Sequence, residues 1–413
     1  MRHRRAPGVV VLLAAGAALV AVGGCTSAGQ DRATGASAPP GGATPGPTTT
    51  GAAPTTATPT PPEPPAKVTV RPGPTSTLNP LRPIRVSSTG GRLRAVQVTD
   101  PHGGRVTGRF SDHRHRWTST GDLAYATRYR VRTVGVNPDG RATQDTRAVS
   151  TVTPAKTAYA QVVPAPEIVG DQVGIGLPLG VQFTAPVTDR KAALRALHVT
   201  STPAQPGAWH WIDDQHVHYR PKHFWRPGTT IRLTAHVFGK NLGGGVYGAA
   251  DNAATWHVHD AWVARANGAT KRMTVYHAGH QVRTLPISMG KPDMPTHTGI
   301  HVISSKQPKV IMDSCTFGVC KGPKAYKLKE FWDLRISNSG EYVHENPESV
   351  ADQGSVNVSH GCINLSPKNA RWFYARFGVG DVVEVTHSGG KPLPLWDVYG
   401  DWSLTWDQYR SGA

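Results

Sequence analysis

The stretch Ser359-His360-Gly361-Cys362-Ile363-Asn364 decides the fold of the C-terminal part of this 413-residue chain. The residues before it, Val356-Asn357-Val358, alternate apolar and polar side chains, and this pattern predicts a strand. The residues after it, from Ser366 onward, carry the signals of a helix start. A cysteine in a turn between a strand and a helix is well placed to meet a bound molecule. We therefore expect a functional site at Cys362.

One helix is clearly predicted downstream of this stretch. Ser366 is a favourable N-cap and Pro367 a favourable first residue. Gly378 is suited to end the helix. The residues that recur on its apolar face are Ala370, Phe373, Tyr374 and Phe377.

Cys362 is predicted to be a nucleophile. A thiolate is the attacking form of cysteine, so the site needs a base or a cation nearby. His344, in the apparent strand Tyr342-Val343-His344, is the candidate base. Gly361 permits close approach of the backbone to a substrate and leaves amide N–H groups for an oxyanion. Two alternatives stay open here: an inert buried cysteine, and a zinc site formed by His344, His360 and Cys362.

These residues resemble the catalytic domain of the L,D-transpeptidase family, whose signature is a distant histidine followed by Ser-His-Gly-Cys-x-Asn. The resemblance extends to Pro295-Thr296-His297-Thr298-Gly299 and to Met312-Asp313-Ser314. Two β modules before this domain and an aromatic tail after it resemble the mycobacterial type of these enzymes. The sequence departs from that pattern at Glu348, where those relatives carry tryptophan, and at the two cysteines of the flap, Cys315 and Cys320.

The resemblance implies the chemical roles of four residues. Cys362 would attack the carbonyl of a diaminopimelate residue in a stem tetrapeptide, expel the terminal D-Ala and form a thioester. His344 would take the thiol proton and later activate the acceptor amine. The backbone carbonyl of Glu345 would orient His344. The amides of Gly361 and Cys362 would bind the developing oxyanion.

The same resemblance implies the residues that shape the site. His360 and Asn364 would hold the loop around the nucleophile. Met312 would line the donor pocket, and Tyr326, at the position of the flap tyrosine, would lie near the same pocket. Ser339 is assigned to substrate binding.

The function implied is cross-linking of peptidoglycan stems between their diaminopimelate residues, without a metal or organic cofactor. The expected partners are a donor stem tetrapeptide and an acceptor stem. Carbapenem-type β-lactams are expected to be covalent inhibitors, because they present a carbonyl to the same thiolate. The same acyl-enzyme would also serve an L,D-carboxypeptidase or an enzyme that attaches a protein to the wall. A non-catalytic wall-binding scaffold is the alternative from a different class.

The N-terminal residues predict export. Basic residues precede an apolar run, Val9 to Val22, which ends in Gly23-Gly24-Cys25. This pattern predicts a lipoprotein signal peptide over residues 1–24 and lipidation of Cys25. An uncleaved anchor helix is the alternative, although the run is short for a bilayer span. Either reading places the protein outside the cytoplasm, and lipidation would fix it to the outer face of the membrane within the wall.

The rest of the chain is predicted to be mainly β. Residues 25–65 are rich in Thr, Pro, Ala and Gly, which favours a disordered tether. Residues 66–164 and 165–259 are predicted to be two tandem immunoglobulin-like β-sandwiches, although a single larger β domain stays open. Residues 260–388 would form the β-rich catalytic domain with its one clear helix. Residues 389–413 carry too many aromatic side chains for a free end and should dock on another module.

Charge and cysteine content limit the partners. The formal net charge of +18 falls to +15 when Arg2, Arg4 and Arg5 are removed with the signal. This excess favours an anionic polymer such as a wall, whereas nucleic acid is not expected, because no stretch combines clustered basic residues with stacking aromatics. Cys315 and Cys320 bracket a glycine-containing loop, and we expect them to form a disulfide in an oxidising compartment.

Overall fold

A computed structural model of the chain describes residues 61–73, 75–317, 320–322, 325 and 327–413. The predicted signal peptide, Cys25, most of the tether and Tyr326 lie outside these described residues. In the part of the chain that the structure describes, no helix is both long and apolar enough to cross a membrane. Strands dominate the described residues, so the predicted fold class is confirmed.

The first β-sandwich contains two sheets, with strand orders β1-β3-β7-β6 and β2-β9-β8-β4-β5. In β8 the exposed Arg130 and Arg132 alternate with the buried Val131 and Thr133, as expected for a strand with one face on a core. Trp117 and Val131, one from each sheet, meet in that core. The strands are β1 (Lys67–Arg71), β2 (Thr77–Leu78), β3 (Arg85–Thr89), β4 (Arg92–Thr99), β5 (Arg105–Val106), β6 (Gly108–Ser111), β7 (Arg116–Ser119), β8 (Arg128–Val136) and β9 (Ala142–Thr151).

The second β-sandwich has sheets of order β11-β13-β16-β15 and β12-β19-β17-β14, with a separate pair β10-β18. Two short helices, α1 (Pro166–Val169) and α2 (Arg190–Leu194), connect its strands. The strands are β10 (Lys156–Ala158), β11 (Ala160–Val163), β12 (Gln172–Val173), β13 (Leu179–Phe183), β14 (Leu197–Thr202), β15 (Gly207–Trp211), β16 (His216–Pro221), β17 (Thr230–Ala235), β18 (Val246–Gly248) and β19 (Asn252–Val258).

The C-terminal part packs two sheets around the helix α3 (Pro367–Tyr374), in which Ala370 and Phe373 are buried. The sheet orders are β22-β21-β20-β28-β23 and β24-β25-β26-β27. The strands are β20 (Trp262–Asn267), β21 (Arg272–His277), β22 (His280–Pro286), β23 (Gly299–Val302), β24 (Ser305–Asp313), β25 (Lys327–Arg335), β26 (Tyr342–Glu345), β27 (Ile363–Leu365) and β28 (Val382–Thr386). The 3-10 helices Ser314–Phe317 and Gly400–Ser403, and the helix α4 (Trp406–Arg410), complete the described elements.

The second sandwich and the C-terminal sheets share one hydrophobic core. Val302 and Val382, from β23 and β28, belong to the same buried cluster as the sandwich residue Trp256. The backbones also touch, because the N–H of Gly174 donates to the carbonyl of Val379 over 2.8 Å. A Cβ atom on Gly174 would collide with the backbone nitrogen of Asp381, so only glycine fits there. These two parts therefore pack as a continuous body.

The aromatic tail packs against the second sandwich. The buried guanidinium of Arg220 on β16 lies 4.5 Å from the ring of Trp402 and 4.4 Å from the ring of Tyr409. Nδ1 of His218 lies 3.1 Å from the carboxylate of Asp401, and the hydroxyl of Tyr409 donates to the same carboxylate over 2.9 Å. Trp396 is not covered like these tail residues, because 69% of its surface is exposed. The tail is thus held by a buried polar cluster that is surrounded by aromatic side chains.

The strand predicted at Val356-Asn357-Val358 is wrong. These residues form no strand, and Val356 and Val358 are exposed. The backbone N–H of Val358 instead donates to Oγ of Ser288 over 3.0 Å. Alternation over three residues indicates a strand only when one face becomes buried, and here neither valine is covered.

Candidate active site

Two parallel neighbouring strands place the predicted base. β26 and β27 pair so that His344 lies opposite Asn364. Nε2 of His344 lies 3.0 Å from Oδ1 of Asn364, and the amide nitrogen of Asn364 donates to Oγ of Ser349 over 3.1 Å. His344 and Asn364 are both buried. A short hydrogen-bonded chain therefore holds the imidazole from one side.

Cys362 directly precedes β27 and is the free cysteine of the described residues. Its side chain is half-buried, and its Sγ lies 3.5 Å from the carbonyl oxygen of Gly340. Oγ of Ser359 donates to the carbonyl of Cys362 over 2.7 Å, which closes a tight turn around the thiol. The loop thus presents one sulfur atom from a rigid backbone.

Gly361 has a backbone conformation that only glycine adopts without strain, with φ of +122°. Thr296 Oγ1 donates to its carbonyl over 2.8 Å. Its N–H donates to Oγ of Ser359 over 3.1 Å. The structure therefore differs from the expectation that this N–H is available to an oxyanion, because the turn that holds Cys362 already uses it.

The electrostatics of the site favour a protonated imidazole. Burial disfavours the charged form of His344, but the hydrogen bond and charge of Cys362, and those of Glu330, outweigh burial and raise the pKa of His344 to about 10. An imidazolium next to a thiol stabilises the thiolate. The arrangement thus favours a protonated His344 beside the sulfur of Cys362.

Glu330 and Asp333 on β25 are site residues that the sequence reasoning missed. Oε2 of Glu330 lies 3.3 Å from Nδ1 of His344, and both side chains are buried. Asp333 is also buried. Burial, with repulsion from Glu330 added, raises the pKa of Asp333 to about 6, although the charge of His344 opposes the shift.

The expected role of Glu345 is not seen in the structure. Its carbonyl was expected to orient His344, but the groups that interact with the ring are the side chains of Asn364, Glu330 and Cys362. Glu345 lies in β26, where it pairs with Leu365 of β27.

A cavity of about 270 Å³ opens beside the thiol. Met312, which was expected to line a donor pocket, is part of the lining, and so are His360, Cys362, His344 and Asn364. His360 is exposed, and its Nε2 lies 3.4 Å from Nζ of Lys291. The carboxylates in the lining belong to Glu330, Glu348 and Asp352, and the described residues of the lining include no lysine or arginine.

Ser339 is not part of that lining. Its Oγ lies 2.6 Å from Oγ of Ser337, which in turn donates to the carboxylate of Asp397 over 2.6 Å. It therefore belongs to the turn that carries Gly340, next to the thiol but outside the cavity.

The tip of the hairpin between β24 and β25 carries a disulfide between Cys315 and Cys320. Met312 lies on β24 of the same hairpin and lines the cavity. Among the described residues, no group of three histidine, cysteine or acidic side chains is arranged to hold a metal ion.

Two family models match the chain. The model of the L,D-transpeptidase catalytic domain matches residues 262–385, and that of a bacterial Ig domain matches residues 75–241. L,D-transpeptidase 2 of Mycobacterium tuberculosis is 39% identical over 332 residues, which are 80% of this chain and 80% of that protein. L,D-transpeptidase 5 of Mycobacterium tuberculosis is 34% identical over 361 residues, which are 85% of this chain and 77% of that protein.

A solved structure of L,D-transpeptidase 3 from Mycobacterium tuberculosis, in complex with a faropenem-derived adduct, is also similar to the chain. It is 33% identical with a TM-score of 0.46, and the match covers 55% of this chain and 97% of that one.

Proposed function

Because this chain belongs to the L,D-transpeptidase family, whose members cross-link peptidoglycan, we propose that Cys362 is its nucleophile. The observation that carries the proposal is the half-buried thiol of Cys362 beside His344, whose imidazolium form the site stabilises. The cavity at this thiol gives a substrate carbonyl access to it. No other described cysteine is free, since Cys315 and Cys320 are bonded to each other.

The first half-reaction forms a thioester. The thiol proton passes to His344, and the thiolate of Cys362 attacks the carbonyl of the diaminopimelate residue in a donor stem. The bond from that carbonyl to the terminal D-Ala breaks, and His344 returns a proton to the leaving amine. The acyl group then rests on the sulfur, and D-Ala departs.

The second half-reaction transfers the acyl group to an amine of an acceptor stem. The amine attacks the thioester carbonyl, His344 accepts the proton of the amine, and the thiolate of Cys362 leaves. The acidic lining residues Glu348 and Asp352 favour the approach of an amine in its cationic form over an anionic acceptor, and the amine releases its extra proton to water before it attacks.

We also propose that the protein is exported and lipid-anchored at Cys25 to the outer face of the membrane. The support is the basic start, the short apolar run and the Gly23-Gly24-Cys25 sequence. Labelling of growing cells with a palmitate analogue tests this. Wild-type protein should carry the label and Cys25→Ser should not, and equal labelling of both would contradict the anchor.

Incubation of the purified protein with disaccharide tetrapeptide, followed by mass spectrometry, tests the reaction. We expect cross-linked dimer and free D-Ala from wild type and neither from Cys362→Ala. Tripeptide without dimer would show hydrolysis instead, and dimer formation by Cys362→Ala would refute the role of the thiol. In parallel, a carbapenem such as imipenem should add one acyl mass to wild type and none to Cys362→Ala.

A further inference from the structure

A buried carboxylate lies behind the imidazole of His344. Oε2 of Glu330 is 3.3 Å from Nδ1 of His344, and their side chains are 10% and 4% exposed. Nδ1 has no hydrogen-bond partner of good geometry among the described residues, and the carboxylate of Glu330 lies within ion-pair distance of it. A carboxylate is seldom buried without a partner. The ring and the carboxylate are therefore partners.

An irregularity in β25 puts the carboxylate there. The pairing of β25 with β26 shifts register between Phe331 and Leu334, and Trp332 has a φ of +58°. Glu330 and Asp333 are three residues apart and would point to opposite faces of a regular strand. The bulge turns both toward the interior, where both are buried.

We propose that Glu330 is a positioning residue of the reaction, which orients His344 and stabilises its imidazolium form opposite the thiolate of Cys362. The inference rests on the proposed role of Cys362. The negative carboxylate attracts the imidazolium form of His344 but not its neutral form. It therefore favours the state in which the proton has moved from the sulfur of Cys362 to the ring nitrogen. It acts through His344 and forms no bond with the substrate. Asn364 fixes the other nitrogen, so the ring is held on both sides.

Several other groups act on the same charges. They lie on β25 and β26, on α3, and in the loops that line the cavity: Asp333, Tyr342, Tyr374, Glu348, Asp352, His360 and Cys362. Asp333 is a second buried carboxylate on the same strand, and unlike Glu330 it is not within ion-pair distance of His344.

The test compares the full-length wild type with Glu330→Gln and Glu330→Asp. Glu384→Gln is the control, because Glu384 lies outside the cavity and pairs with Arg265 over 3.0 Å. The rate of acylation of Cys362 by imipenem is followed by intact mass from about pH 5 to about pH 11, a range that extends past the elevated pKa of His344. Thermal unfolding of each variant reports folding.

We expect Glu330→Gln to acylate about tenfold to a hundredfold more slowly, because loss of the carboxylate lowers the pKa of His344 and moves the proton back toward sulfur. The alkaline limb of its profile, where the imidazolium loses its proton, should move to lower pH. Glu330→Asp keeps the charge, so the alkaline limb of its profile should lie close to that of wild type. Glu384→Gln should match wild type. A purely structural role would lower the unfolding temperature without moving the limb.

A second measurement covers the case in which Glu330→Gln folds poorly. In Cys362→Ala the thiolate is gone, so an elevated pKa of His344, read from the NMR titration of its ring, would report Glu330. Wild-type rate and pH profile in Glu330→Gln, or an ordinary pKa of His344 in Cys362→Ala, would overturn this inference alone. Absence of acylation in wild type would instead refute the proposed function.

Discussion

Nε2 of His344 lies 3.0 Å from Oδ1 of Asn364, directly across the parallel pair β26 and β27. The asparagine of the sequence motif is therefore a support for the base, fixed in turn by Ser349. It ties the strand that carries the histidine to the strand that begins just after the thiol. The geometry of the nucleophile and its base thus depends on one cross-strand pair.

Replacing Asn364 should uncouple this pair. Asn364→Ala leaves Nε2 of His344 and Oγ of Ser349 without their partner in a buried region, which should lower the free energy of unfolding by about 1 to 3 kcal/mol. Acylation by imipenem should slow on the order of 100-fold, because the ring is no longer held in place. Chemical denaturation and acylation kinetics measure both. Asn369→Ala, which loses a contact to Arg283, should retain the wild-type rate.

The buried carboxyl of Asp333 should make stability fall as pH rises. Its pKa is about 6 in the folded state and 3.8 ordinarily, so the folded protein holds this proton more tightly than the unfolded chain does. Stability therefore falls as the pH rises from 3.8 to about 6 and stays lower above that range. Asp333→Asn should therefore raise the free energy of unfolding near pH 8 by about 2 to 3 kcal/mol and change little near pH 4. Denaturant titrations at the two pH values test this. Equal effects at both, or an equal gain in the exposed control Asp122→Asn, would contradict it.

The conformation of Gly361 should be needed for activity as well as for stability. Gly361→Ala places a side chain at φ of +122°, which costs about 1 to 3 kcal/mol. Gly279→Ala imposes a comparable backbone penalty at φ of +82°, with no atom within 4 Å of the added carbon. We expect both to lower the unfolding temperature and only Gly361→Ala to lose acylation. Full activity in Gly361→Ala would show that the loop tolerates movement.

The ion pair that anchors the tail should stabilise the protein within a limited pH range. Burial disfavours both charges, but mutual attraction outweighs it, so the pKa of His218 is raised and that of Asp401 is lowered. The contribution of His218 is complete below 6.5 and is lost as pH rises through its elevated pKa. The contribution of Asp401 is complete above 3.8 and is lost as pH falls through its depressed pKa. The pair should thus act fully between these values.

Asp401→Asn should remove that contribution. Within this window we expect a loss of about 3 kcal/mol in the free energy of unfolding, because the change leaves a buried partner uncompensated. The loss should shrink at alkaline pH. Thermal unfolding across pH measures it, with Asp407→Asn as control, since Asp407 is exposed and pairs with Arg410. A pH-independent loss would indicate packing rather than charge.

The sequence predicted those features of the site that are encoded locally. The order of His360, Gly361, Cys362 and Asn364 points to a nucleophile loop, and Ser366-Pro367 marks the start of α3 where the structure has it. The alternation around Val131 likewise predicts a half-buried strand.

The sequence did not predict the features that depend on residues far apart along the chain. Glu330 and Asp333 carry no local sequence signal of a shared site, because residues three apart point to opposite faces of a regular strand. Their burial requires the bulge at Trp332, which forms against β26. The support of His344 by Asn364 likewise depends on strand pairing, and the family's backbone contact suggested Glu345 instead.

The continuous core between the second sandwich and the C-terminal sheets limits how such a protein can be divided or recombined. An excised fragment that begins at β20 would leave Val302 and Val382 exposed to water, and it should aggregate or need a detergent to stay dispersed. A sandwich taken from another protein would need a glycine where Gly174 meets the backbone of Asp381. In evolution, the second sandwich and the catalytic sheets would therefore be inherited as a single unit.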